Sequence, residues 1–128
     1  MPKAFYVEEG EGRLRVWAVF FLLGEDLVVG IGGGEKPHIG ALAVAVPRPS
    51  RGRPGEVSST SSVITLPEHK DDIVAREAAD YLARETNRVV TVSAGIHVDS
   101  ATESEIKSLV ENSRRVTRKI VERIESLP

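Results

Sequence analysis

The chain has no cysteine, no glutamine and only two asparagines, Asn87 and Asn112. Without cysteine there can be no disulfide, no thiolate metal site and no cysteine nucleophile. The longest apolar run covers residues 16–23, too short to span a bilayer. The opening "MPKAFYVEEGEG" lacks the apolar core of a signal peptide, so a cytoplasmic protein is expected. There is no excess of positive charge either: 17 basic residues face 19 acidic ones, for a formal net charge of −2. With no basic block and no basic–aromatic interleaving, nothing here is built to track a nucleic-acid backbone. A Gly-x-Ser-x-Gly elbow is missing, and the one glycine run lacks the Gly-Lys-Ser/Thr ending of a phosphate-binding P-loop. Charged residues make up 28% of the chain, which together with the scarcity of amides points to a heat-tolerant source.

What remains is enough for one domain with a real core: 128 residues, 41% of them hydrophobic, with no internal repeat and no internal boundary. Residues 1–66 read as strands. In 13–23, Leu14 and Val16 alternate with Arg13 and Arg15 before the segment turns apolar on both sides. "GED" at 24–26 makes a tight turn into "LVVGI", a hairpin. "GGGEKP" at 32–37 reads as a glycine-rich loop leading into the apolar strand 38–46, and "PRPSRGRPGE" at 47–56 as a second loop. The β-branched and hydroxyl-rich segment 57–66 returns antiparallel, its serine run 58–62 forming a solvated face. A helix follows Pro67, with Asp71 and Asp72 in its first turn and Ile73, Val74, Ala78, Tyr81 and Leu82 at helical spacing. Residues 87–98 form a strand. A second helix opens on a capping box, either Ser100 with Glu103 or Thr102 with Glu105, and carries an apolar stripe from Ile106 to Ile124.

The expected fold is α+β: a single, mostly antiparallel sheet of about six strands in the order β-β-β-β-β-α-β-α, with both helices on one face. The other face then carries Trp17, Val19 and Phe21, too much apolar surface to leave wet. Two solutions stand: a partner on that face, most simply a second copy in a homodimer, or a sheet curled on itself.

Connectivity concentrates chemistry at one sheet edge. His38 starts a strand, the next strand is antiparallel and ends at the same edge just before His69, and the helix crossover returns a parallel strand ending at His97. Gly32, Gly33, Gly34, Lys36, Lys70, Asp99 and both helix N-termini fall at that edge. Amides at helix starts and a glycine loop, with two lysines, suit a phosphate or carboxylate. His38, His69, His97 and Asp99 form an alternative metal set, for zinc or iron, although no two histidines have helical spacing and the lysines would repel a cation. No nucleophile stands out.

Three blocks in order, "GGGEKPHIGALAVAVPRPS", "SVITLPEHKDDIVAREAA" and "NRVVTVSAGIHVDSATESEIKSLVENS", resemble the prenylated-flavin chaperone LpdD-like family over about residues 26–113. Members of that family are the small accessory subunits of the non-oxidative hydroxyaryl (phenolic acid) decarboxylases. The resemblance implies a non-catalytic accessory protein that matures or maintains a UbiD-like decarboxylase using prenylated FMN. It brings no catalytic residues with it. A flavin phosphate would suit the glycine loop and lysines, and a "PRPS" loop bearing Arg48 and Ser50 is expected to fold over the ring.

Overall fold

The computed structural model describes residues 2–66 and 71–128. It contains β1 (Phe5–Glu9), a 3-10 turn (Gly12–Leu14), β2 (Val16–Leu23), β3 (Asp26–Gly34), β4 (Ala41–Pro49), β5 (Val57–Thr65), α1 (Asp72–Thr86), β6 (Val90–His97) and α2 (Glu103–Glu125). The six strands form one mixed sheet in the order β1-β2-β3-β6-β4-β5. Only the β3–β6 pair is parallel; all other neighbours are antiparallel. This is the α+β arrangement, one mostly antiparallel sheet with two helices, that the sequence leads one to expect. Among the described residues no helix is long and apolar enough to cross a membrane.

Local chemistry explains the element ends. β2 and β3 pair to Leu23 and Asp26, leaving Gly24 and Glu25 as a two-residue turn with Gly24 at φ +63. α1 stops at Asn87, which takes the left-handed conformation at φ 53. The α2 cap is the Thr102–Glu105 pair of the two alternatives: each side chain bonds the other residue's backbone N–H. α1 lies over β4, β5 and β6, and α2 over β1 and β2. Between them and the sheet sit Val16, Ala18 and Phe20, the alternating residues of β4 and β6, and Leu82, Val116 and Ile120. Alanines at 41, 43, 45, 75, 78, 79 and 83 let α1 approach the sheet closely.

Several expectations need correction. Arg13 and Leu14 belong to the 3-10 turn, so β2 begins only at Val16. Gly32, Gly33 and Gly34 are not a loop but the last three residues of β3. They are glycines because of packing: a side-chain carbon on Gly32 would lie 2.6 Å from the Trp17 indole. Pro47, Arg48 and Pro49 are likewise strand, not loop. β4 pairs with β6 only through Ala45, and beyond it only β5 remains alongside, so prolines cost the ladder little. The serine run is not uniformly solvated: Ser59 and Ser61 donate to the Asp80 carboxylate of α1 at 2.7 and 3.1 Å.

The curled-sheet alternative is also overturned. β1 and β5 are the two outer strands and do not pair, so the sheet stays open. Its helix-free face presents Tyr6, Val19, Leu42, Val44, Val46 and Ile64, all exposed, beside half-buried Trp17 and Phe21.

Candidate functional site

The end of β3, the start of β4, the end of β6 and the N-termini of both helices meet at one edge of the sheet. The parallel β3–β6 pair carries Gly34 beside His97, and the His38 N–H donates to the Gly95 carbonyl at 3.4 Å. His38, His97, Lys36 and Gly32 to Gly34 therefore share this edge. His69 and Lys70 lie outside the described residues. Arg48 and Ser50 do not join them. They sit at the far end of β4, seven or more residues along the strand, on the order of 25 Å away. There Arg48 donates to the Thr60 hydroxyl at 2.9 Å and the Ser50 N–H to the Glu56 carbonyl at 2.9 Å.

The pair at the centre of the edge is His38 with Asp71, Nε2 to Oδ2 at 3.0 Å. Asp71 is only 7% exposed and occupies the N-cap position of α1 without capping it. Its carboxylate turns to the sheet instead, where Oδ1 accepts the Ile96 N–H at 3.0 Å. His38 Nδ1 faces the Lys36 carbonyl at 2.9 Å. A carbonyl only accepts, so Nδ1 carries a hydrogen. Two glycines make this geometry possible. A side-chain carbon on Gly40 would overlap the Asp71 carboxylate, and one on Gly95 would overlap the His38 carbonyl.

His97 belongs to a second, exposed cluster. Its Nε2 meets Asp99 Oδ1 at 2.8 Å, and Asp99 Oδ2 lies 3.5 Å from Lys36 Nζ. The Asp99 N–H donates to Glu35 at 2.9 Å, while Arg13 donates to the Asp99 carbonyl at 2.7 Å and pairs with Glu105 at 3.4 Å. His97 first, and Lys36 next, hold the Asp99 carboxyl below the ordinary value of 3.8. A depressed aspartate contributes stability that is present above pH 3.8 and is lost as pH falls through its lower folded value. Lys36→Ala is expected to move the Asp99 titration back towards 3.8, read by NMR of the carboxyl carbon; an unmoved midpoint would mean that Lys36 has no electrostatic hold on it.

The anion cradle expected from the glycine run is not formed by its amides. The Gly34 N–H bonds the Arg15 carbonyl, the Glu35 and Lys36 N–H groups both bond the His97 carbonyl, and Lys36 is itself paired with Asp99. Nor do the described residues gather three metal-ligating side chains anywhere. His38 is turned to Asp71 and His97 to Asp99, so the two imidazoles serve different acids.

What the edge does enclose is a cleft of about 380 Å³ between the starts of α1 and α2. Val74, Ile96, Val98, Ala101, Ile106, Leu109 and Val110 line it, with His38, Asp71 and His97 as its polar groups. Sequence reasoning missed Asp71 as a site residue, taking it for an ordinary first-turn acid; its burial depends on Gly40, thirty-one residues earlier. It also missed the apolar lining, because Ile106 and Leu109 read simply as helix stripe.

A mostly apolar cleft with a few convergent polar groups is the usual form of a small-molecule pocket. The model of the prenylated flavin chaperone LpdD-like domain matches residues 10–125, and the chain belongs to that family. The match reaches beyond the residues 26–113 that carried the resemblance, taking in β2 and the whole of α2. Protein LpdD of Lactiplantibacillus plantarum is 24% identical over 119 residues, which cover 89% of this chain and 80% of that protein.

Proposed function

We propose that this chain is a non-catalytic, cytoplasmic accessory protein that holds prenylated FMN for a UbiD-like decarboxylase, with the flavin ring in the cleft between α1 and α2. Family membership supports the flavin. The observation that carries the placement is the apolar cleft closed at one side by the part-buried His38–Asp71 pair. A prenylated ring is broad and apolar with polar atoms along one edge. Seven apolar side chains facing a few convergent polar groups are the usual lining for such a body, and the volume falls within the roughly 300–1,000 Å³ of small-molecule pockets. Ile106, 51% exposed at the rim, would close over the ring on binding. The flavin's chemistry belongs to the partner enzyme; these residues bind, orient and exclude water.

Titration of the purified chain with prenylated FMN, followed by flavin fluorescence, tests this. Ile106→Asp is expected to weaken binding tenfold or more, because a carboxylate would be set against the ring, and tenfold is about 1.4 kcal/mol. Flavin emission unchanged by a large excess of wild-type protein would end the reading. The His38–Asp71 pair favours a second reading, an acid–base couple in a small enzyme. A reaction catalysed by the isolated chain and abolished by His38→Gln would establish that instead.

We also infer that the open sheet face joins two copies of the chain. Five strand spacings of about 4.8 Å by roughly seven residues of about 3.3 Å give on the order of 550 Å² per copy, about 1,100 Å² in all, at the small end of specific interfaces. Among the described residues the charges on this face lie towards its margins, at Glu8 with Arg15, at Asp26 and at Arg48. On the helix side, Glu9 pairs with Arg115 and Lys119, and Arg115 with Glu111, a network that supports a heat-tolerant source.

A further inference from the structure

The seam between α1 and α2 does not end with the apolar cleft. Beyond Val74, which lines both, it continues as a groove of about 410 Å³. The character of its walls changes there from apolar to basic. Arg76 and Arg84 rise from α1, and Arg114 and Arg118 from α2, over a floor that includes Ala78, Ser113 and Thr117. Two acids share the groove, and both are engaged. Asp80 accepts two serine hydroxyls from β5, and Glu77 pairs with Arg114 at 3.2 Å. Arg76, Arg84 and Arg118 have no carboxylate partner among the described residues. Four arginines against two acids leave a positive excess, and guanidinium groups match phosphate oxygens in a fork geometry.

We infer that this arginine-lined half of the seam binds the phosphate monoester of a flavin nucleotide whose ring occupies the adjoining cleft. The inference rests on the reading of the cleft as the flavin site. Spacing supports it: Val110 lines the cleft and Arg114 the groove, one helical turn apart, about 6 Å. A five-carbon ribityl chain ending in a phosphoester bridges one to two turns. The placement also accounts for an edge whose glycine-segment amides are already spent on carbonyls.

The test compares FMN with riboflavin, which lacks only the phosphate, on the wild-type chain and on the Arg76→Gln/Arg118→Gln double variant. Both arginines are exposed and unpaired, so the double variant should melt with the wild type. FMN is expected to bind about tenfold or more tightly than riboflavin at low salt. The double variant should bring FMN down to the riboflavin level and leave riboflavin unmoved. Equal wild-type affinities for the two flavins, or FMN binding untouched by the double variant, would overturn the phosphate site while leaving the cleft reading intact. If neither flavin binds, the cleft reading falls, and inorganic phosphate alone decides the groove. Phosphorus NMR line broadening lost in the double variant upholds the anion site; no arginine-dependent broadening overturns it.

Discussion

Replacing Asp71 with alanine should lower the melting temperature by roughly 8–15 °C. The carboxylate is 7% exposed and serves two partners, the Ile96 N–H and the His38 imidazole. Alanine takes away the acceptor of the Ile96 N–H and one partner of the His38 ring, at the wall of the cleft. A buried donor left unpaired costs about 1–3 kcal/mol, and more when its lost partner was charged. The sum is about 2–4 kcal/mol, and for a domain of this size each kcal/mol shifts the midpoint by several degrees. Asp71→Asn separates hydrogen bonding from bulk. Its oxygen can still accept from Ile96, and its amide can donate to an Nε2 without a hydrogen, so most of the loss should be recovered. A thermal melt in which Asp71→Ala stays within two or three degrees of wild type would show the pair to be an incidental contact.

A single aspartate in the middle of the open face should abolish self-association. Val44 lies on β4, beside the central strand β6, and is 37% exposed. In a two-fold dimer each substitution acts twice. Burying an unpaired carboxylate against apolar side chains costs about 2–3 kcal/mol per site in protein contexts, so the dimer weakens by three to four powers of ten. Light scattering on a sizing column should report twice 13.9 kDa for the wild type and 13.9 kDa for Val44→Asp, with unchanged melting of the monomer. A wild type that elutes as a monomer at micromolar concentration would refute the dimer. Should Val44→Asp then lose a co-purifying decarboxylase, the face belongs to that enzyme instead.

The sequence carried the fold further than it carried the site, and particular residues show why. The apolar runs of β2 and β4 and the apolar stripe of α2 mark them as buried elements, so element order could be read. The edge shared by His38 and His97 followed from strand direction and connectivity alone. Three things could not be read this way. Glycines look alike whether they line a loop or lie beneath an indole, and only the packing of Trp17 on Gly32 tells the two apart. Asp71 is one of two adjacent acids, and which one turns inward depends on the empty space at Gly40. Arg76 and Arg84 on α1 approach Arg114 and Arg118 on α2 across some thirty residues of intervening chain, and their helical spacing gives no hint of how the two helices are rotated.

The strand order has a consequence for how the protein is made. β3 and β4 follow one another in the chain but never touch as ladder partners, because β6 lies between them. Until residues 90–97 emerge from the ribosome, the nascent chain can form only two separate pieces, the β1-β2-β3 meander and the β4-β5 hairpin. Each exposes an edge that the finished sheet conceals, on β3 and on β4, and neither has α2 to cover its core side. The closing event joins strands about sixty residues apart on the β3 flank, pairing Leu27 with Val90 and Gly34 with His97. Such non-local closure is slow compared with hairpin formation. A chain whose proposed work is to shelter a cofactor thus spends its own synthesis with two unsheltered sheet edges.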